Sequence, residues 1–114
     1  MYLVLVFFLS CNYENSRNCD IDFRFESEFR GKIELLKKSE IEKESVKISE
    51  KLDALFFLSA VTNTKSSIRD IHVPLYPDIK SFKKDVYLWE QWYKENKCSF
   101  TYEKADSLAS KFTW

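Results

Sequence analysis

The sequence predicts a mostly α-helical fold, a small bundle of helices joined by one long proline-containing loop. Three observations carry that expectation. Apolar residues recur at spacings of three and four in several stretches, which is one face of a helix. The only two prolines, Pro74 and Pro77, fall together in one interruption. The chain of 114 residues has 17% aromatic residues, too many for a disordered segment and enough for one buried core.

The first stretch is not helical in this sense. Met1 to Leu9 is an unbroken apolar and aromatic run, followed by Ser10 and Cys11. It is shorter than the roughly 20 residues needed to span a bilayer and matches the h-region of a secretory signal. Phe8-Leu9-Ser10-Cys11 resembles the lipobox of bacterial lipoproteins. That resemblance implies that residues 1–10 are a signal peptide, that Cys11 is acylated, and that the mature chain is held at the cell envelope by lipid. The alternative for residues 3–9 is a buried β-strand in a soluble, cytoplasmic interaction or immunity-type protein. Asn12 to Asn18 is polar and aperiodic, so residues 11–20 read as a lipid-bearing cysteine and its tether. Residues 21–114 then form a single helical domain.

Ile21, Phe23 and Phe25 alternate with Asp22, Arg24 and Glu26, which suggests a short extended segment over 21–26. Phe29, Ile33 and Leu36 start the helical part over 27–38, with Gly31 costing that helix about 1 kcal/mol relative to Ala. Ser39-Glu40-Ile41-Glu42 has the capping-box pattern for a second helix. Ser45 and Ser49 offer alternative starts. That helix would bury Ile41, Ile48, Leu52, Leu55, Phe56 and Ser59 and expose Lys43, Glu44, Lys47, Glu50 and Lys51. Its stripe widens from Leu55 to Val61, which implies burial on more than one side, and Asn63 is a suitable stop.

Residues 63–78 read as the long loop, and its apolar content makes it a candidate binding segment. Asp78 or Ser81 caps the next helix, in which Phe82, Val86, Trp89 and Tyr93 form one stripe and Leu88 and Trp92 flank it. Thr101 caps a last helix carrying Tyr102, Ala105, Leu108, Ala109 and Phe112.

Asp85-x3-Trp89-x2-Trp92-Tyr93-x2-Asn96 is similar to a segment that ends small helical domains of bacterial envelope lipoproteins and HEAT-like repeat proteins. Ala54-Leu55-Phe56-Phe57-Leu58-Ser59 resembles the earlier helix of those domains, so the likeness spans about residues 48–100. It implies HEAT-like helical hairpins and a scaffold-type role, and it implies no reaction.

Eighteen basic and eighteen acidic residues leave zero formal charge, a poor fit to nucleic-acid binding. One glycine excludes a glycine-rich phosphate loop, and one histidine excludes a two-histidine metal motif. Cys11, Cys19, His72 and Cys98 lack the close paired spacing of a zinc site. No catalytic constellation, metal or cofactor is expected, and an enzyme built on His72 is the remotest reading. If Cys11 carries lipid, Cys19 and Cys98 remain. Two separate thiols are the simpler expectation, because sequence alone does not bring them within reach, and a disulfide is the alternative. Trp89, Trp92 and Tyr93, with Tyr76 in the loop before them, either pack internally or form a patch for a protein partner. The sequence therefore points to a membrane-anchored protein-interaction or scaffold module.

Overall fold

A computed structural model describes residues 19–64 and 76–111. Among these residues four helices account for the regular structure: α1 (Phe23–Glu40), α2 (Ile48–Thr62), α3 (Ile79–Asn96) and α4 (Tyr102–Lys111). The helical fold class is as the periodicity predicts. Residues 1–18, including Cys11, and residues 65–75, including His72, lie outside the described residues, as does Phe112.

α1 begins where an extended segment was expected. The Asp22 side chain accepts hydrogen bonds from the Arg24 and Phe25 backbone N–H groups at 3.0 and 3.2 Å, an N-cap that turns residues 23–26 into the first helical turn. Phe25 then joins Phe29, Ile33 and Leu36 in one buried stripe, while Phe23 is 76% exposed. The alternation of Ile21, Phe23 and Phe25 is short, and the longer helical stripe that shares Phe25 buries more apolar surface, so it prevails.

The boundary between α1 and α2 also differs from the capping-box reading. α1 continues through Ser39 and Glu40, and the Ser39 hydroxyl bonds the Glu40 carboxylate at 3.1 Å instead of capping a new helix. The N–H groups of Ile41 and Glu42 return to the Lys37 carbonyl and that of Glu44 to the Lys38 carbonyl, closing the end of α1. Lys43 takes a left-handed conformation, φ 58°, to make this turn. Neither Ser45 nor Ser49 caps α2. Lys47 stands at its N-cap with no side-chain bond. Ile41 and Ile48, expected to be buried, are exposed.

α2 is the central helix. It packs on α1, α3 and α4, while α1 also meets α3 and α4. Ala54, Leu55, Phe57, Leu58 and Val61 are buried around much of its circumference, in keeping with the widening stripe. Lys51, expected on the solvated side, is buried for the same reason, and its ammonium pairs with the Glu40 carboxylate at the end of α1. That ion pair satisfies a charge that would otherwise be costly to bury. α2 ends at Asn63, which adopts the left-handed geometry of a helix stop, φ 55° and ψ 39°.

Asp78 caps α3 by accepting from the Ser81 N–H at 2.7 Å. Phe82, Val86, Trp89 and Tyr93 all face the core, as their spacing predicts. α4 is capped by Thr101, whose hydroxyl accepts from the Lys104 N–H at 3.2 Å. It buries Ala105 and leaves Leu108 43% exposed, so the stripe on this last helix is narrower than its apolar residues suggested.

Candidate functional site

Of the aromatic residues singled out in the sequence, Trp92 and Tyr93 meet Phe25 and Phe29 in a seam between α1 and α3, while Tyr76 packs edge-on against Phe82 of α3 itself. Trp89 and Tyr93 are 1% and 4% exposed, and Tyr76 is 9% exposed. Trp89 and Tyr93, at i, i+4 on α3, point at the core, and Tyr76 packs just before the helix, so all three support the fold and offer a partner almost no surface. Trp92, one step around the helix, is partly buried. Its ring stacks on Phe29 at 5.6 Å between centroids and meets the edges of Phe100 at 4.9 Å and Phe25 at 6.1 Å. Such pairs contribute beyond area burial, about 0.5–1.5 kcal/mol each. Trp92 is therefore the member of the set that keeps some surface at the rim of the seam.

Two phenol hydroxyls tie these aromatic side chains to carboxylates. The Tyr76 hydroxyl donates to the buried Asp85 carboxylate at 2.7 Å, which ties the chain before α3 to the helix itself. The Tyr93 hydroxyl donates to Glu26 at 3.0 Å, and the Arg30 guanidinium lies over the Tyr93 ring at 5.0 Å. Burial, reinforced by the Glu26 carboxylate, pushes the Tyr93 phenol up to about 12.

One end of the molecule is stitched where residues 19–25 meet residues 98–102. Cys19 and Cys98 form a disulfide, with Cα atoms 5.3 Å apart and a sequence separation of 79. The simpler expectation of two separate thiols does not hold in this structure, because the start of α1 lies against the segment after α3. Asp22 accepts from the Tyr102 N–H at 2.8 Å while it caps α1. The Tyr102 bond, then those of Phe25 and Arg24, hold the Asp22 carboxyl below the usual carboxylate range. Arg24 lies 3.7 Å above the Tyr102 ring centre, and Phe25 packs on Phe100 at 5.2 Å. Sequence reasoning passed over Asp22 and Arg24, whose partners lie near the other terminus.

A groove between α1 and α3 is floored by Phe29 and Tyr93 and edged by Arg30, Glu90 and Lys94. Its volume of about 230 Å³ is below the roughly 300–1,000 Å³ of small-molecule sites. Among the described residues no group of three or more His, Cys, Asp or Glu side chains could hold a metal ion. No helix among them is long and apolar enough to cross a membrane.

A different surface stands out by its charge. Ile79, Lys83 and Tyr87 follow one another at i, i+4 along α3, and Lys80, Lys84 and Leu88 form the neighbouring row. All six are exposed. The sequence signal was present in Lys80-x2-Lys83-Lys84, three lysines early in a helix, but the aromatic stripe drew attention to the other side of α3.

No family model, curated protein or solved structure matches the chain.

Proposed function

We propose that the chain is a lipid-anchored domain of the bacterial cell envelope that binds another protein or scaffolds an envelope assembly. The observation that carries this reading is the division of its three cysteines. Cys19 and Cys98 are joined, a state suited to an oxidising compartment outside the cytosol. Cys11 is the remaining one, and it follows an apolar run and a small residue as an acylated cysteine does. Several acyl chains on one cysteine give lasting attachment where a single chain gives only weak binding. The helical body is consistent with a scaffold role, since its buried side chains are committed to core packing and internal hydrogen bonds.

Metabolic labelling with a palmitate analogue tests the anchor. The native chain is expected to incorporate label and fractionate with membranes, and Cys11→Ala to lose both. Equal labelling of the two chains, or none in either, would remove the anchor and favour the soluble interaction protein with residues 3–9 folded as a strand. In-cell crosslinking of the labelled chain should capture a membrane-associated protein, and Cys11→Ala should lose that capture.

A further inference from the structure

The outer face of the first half of α3 is a row of exposed lysines with no exposed acid among them, because the acidic residue between Ile79 and Leu88, Asp85, is buried. Arg30, Lys32, Lys37 and Lys51 each have a carboxylate partner. Lys80, Lys83 and Lys84 have none among the described residues. Lys80 sits in the first helical turn, which contains no acidic residue and where the helix dipole disfavours a cation. Between the lysines stand Tyr87 and Ile79, 61% and 45% exposed, with Leu88 at 38%. Long basic side chains over an apolar and tyrosine floor suit an interface whose charges are anionic and whose interior is apolar, because lysine stems lie along apolar surface while their ammonium groups reach outward.

The position of α3 relative to the anchor favours a membrane over a protein as the occupant. Cys98 follows two residues after α3 and is bonded to Cys19, so the C-terminal end of α3 is fixed beside the start of the folded body. Cys11 and Cys19 are eight residue steps apart. Fully extended, those steps reach at most about 28 Å. α3 itself is 18 residues, a length of about 27 Å. A short leash attached at one end of a helix brings the whole helix within reach of the bilayer when the helix lies along it.

We propose that this face, centred on Lys80, Lys83, Lys84 and Tyr87, seats the domain on an anionic lipid surface. The inference rests on the lipid-anchor reading for its setting. In that orientation α3 lies along the headgroups and the opposite side of the bundle faces away from the membrane, free for a protein partner.

The test compares the full chain with Lys80→Gln/Lys83→Gln/Lys84→Gln in co-sedimentation with phosphatidylcholine vesicles, with and without phosphatidylglycerol. Both proteins share residues 1–11, so their ratio reads α3 alone. Each lysine near an anionic surface contributes about 1 kcal/mol, so the native chain is expected to bind phosphatidylglycerol vesicles about 100-fold more tightly at low salt. The ratio should vanish on pure phosphatidylcholine and shrink at high salt. Lys38→Gln/Lys43→Gln/Lys47→Gln changes net charge equally at exposed positions outside α3 and should keep most of the binding. Lys83→Glu alone should lose at least about fivefold, and circular dichroism confirms that each variant is folded. Equal binding by the native chain and the α3 triple variant overturns the proposal, as does an equal loss in the control triple variant. If instead only binding to a polyglutamate peptide separates them, the face belongs to an acidic protein partner and the membrane proposal falls. The vesicle ratio does not depend on acylation, so it stands or fails separately from the Cys11 labelling result.

Discussion

Single side chains in this domain hold together segments far apart in sequence, and Tyr93 makes that measurable. Its ring lies in the aromatic seam against Phe25 and Phe29, and its hydroxyl spans α3 and α1 by donating to Glu26. The phenol is pushed to about 12 by burial first and by the Glu26 carboxylate second. An unfolded tyrosine titrates near 10. The folded state therefore prefers the protonated phenol. This contribution is fully present below about pH 10 and is lost as pH rises from about 10 to 12. The full shift would correspond to roughly 2–3 kcal/mol, and solvent screening at the phenol brings the expected loss to about 1–2 kcal/mol. Urea unfolding of the native chain should show that alkaline decline, and Tyr93→Phe should lack it. Superimposable alkaline profiles for the two proteins would contradict the assignment. Lys51 and Glu40 make the same point about distance: each looks like one more charge on a solvated helix, and their burial follows only from the meeting of α1 and α2.

At the scale of elements, the sequence was legible where one pattern was sustained and ambiguous where two patterns overlapped. The α3 stripe of Phe82, Val86, Trp89 and Tyr93 repeats over three turns without a competitor, and Asp78 supplies its cap, so helix and face are both predictable. The α1–α2 boundary offers two valid signals. Ser39 and Glu42 fit a capping box, yet the Phe29, Ile33 and Leu36 stripe carries α1 past them to Glu40. Tertiary burial outweighs a local cap that contributes about 1 kcal/mol. The same physics isolates Gly31. It lies in the middle of α1 on an exposed face, and a methyl group added there would meet no heavy atom within 4 Å. Nothing in packing requires a glycine at this place. Gly31→Ala should stabilise the domain by about 1 kcal/mol through helix propensity alone. An increase in the urea midpoint at unchanged slope would report it, whereas an unchanged or lower midpoint would mean that α1 needs the freedom of glycine there.

At the scale of the whole molecule, the end where residues 19–25 meet 98–102 determines how the described chain is held together. The candidate site was only partly legible for this reason. Counting cysteines suggested a possible pair, but the contact of Asp22 with Tyr102 and of Arg24 with the Tyr102 ring is a product of the bundle closing, with no local trace in either segment. The Cys19–Cys98 bond makes this closure covalent and encloses α1, α2 and α3 in one loop. Its stabilising effect is therefore felt across the fold. Linking positions 79 apart removes much of the freedom of the unfolded chain, by about 4–5 kcal/mol on the chain-entropy account. For a domain of this size that is a large share of the usual 5–15 kcal/mol. Cys98 is exposed, so a reductant can reach the bond without global unfolding. Urea unfolding with and without dithiothreitol should show a loss of that order. Cys19→Ser/Cys98→Ser should match the reduced protein and be insensitive to reductant. Because the noncovalent stitch through Asp22, Arg24, Phe25 and Phe100 remains after reduction, the reduced domain should keep its helical circular dichroism below the new midpoint. Coincident unfolding curves in the two redox states would show that these noncovalent contacts alone close the molecule.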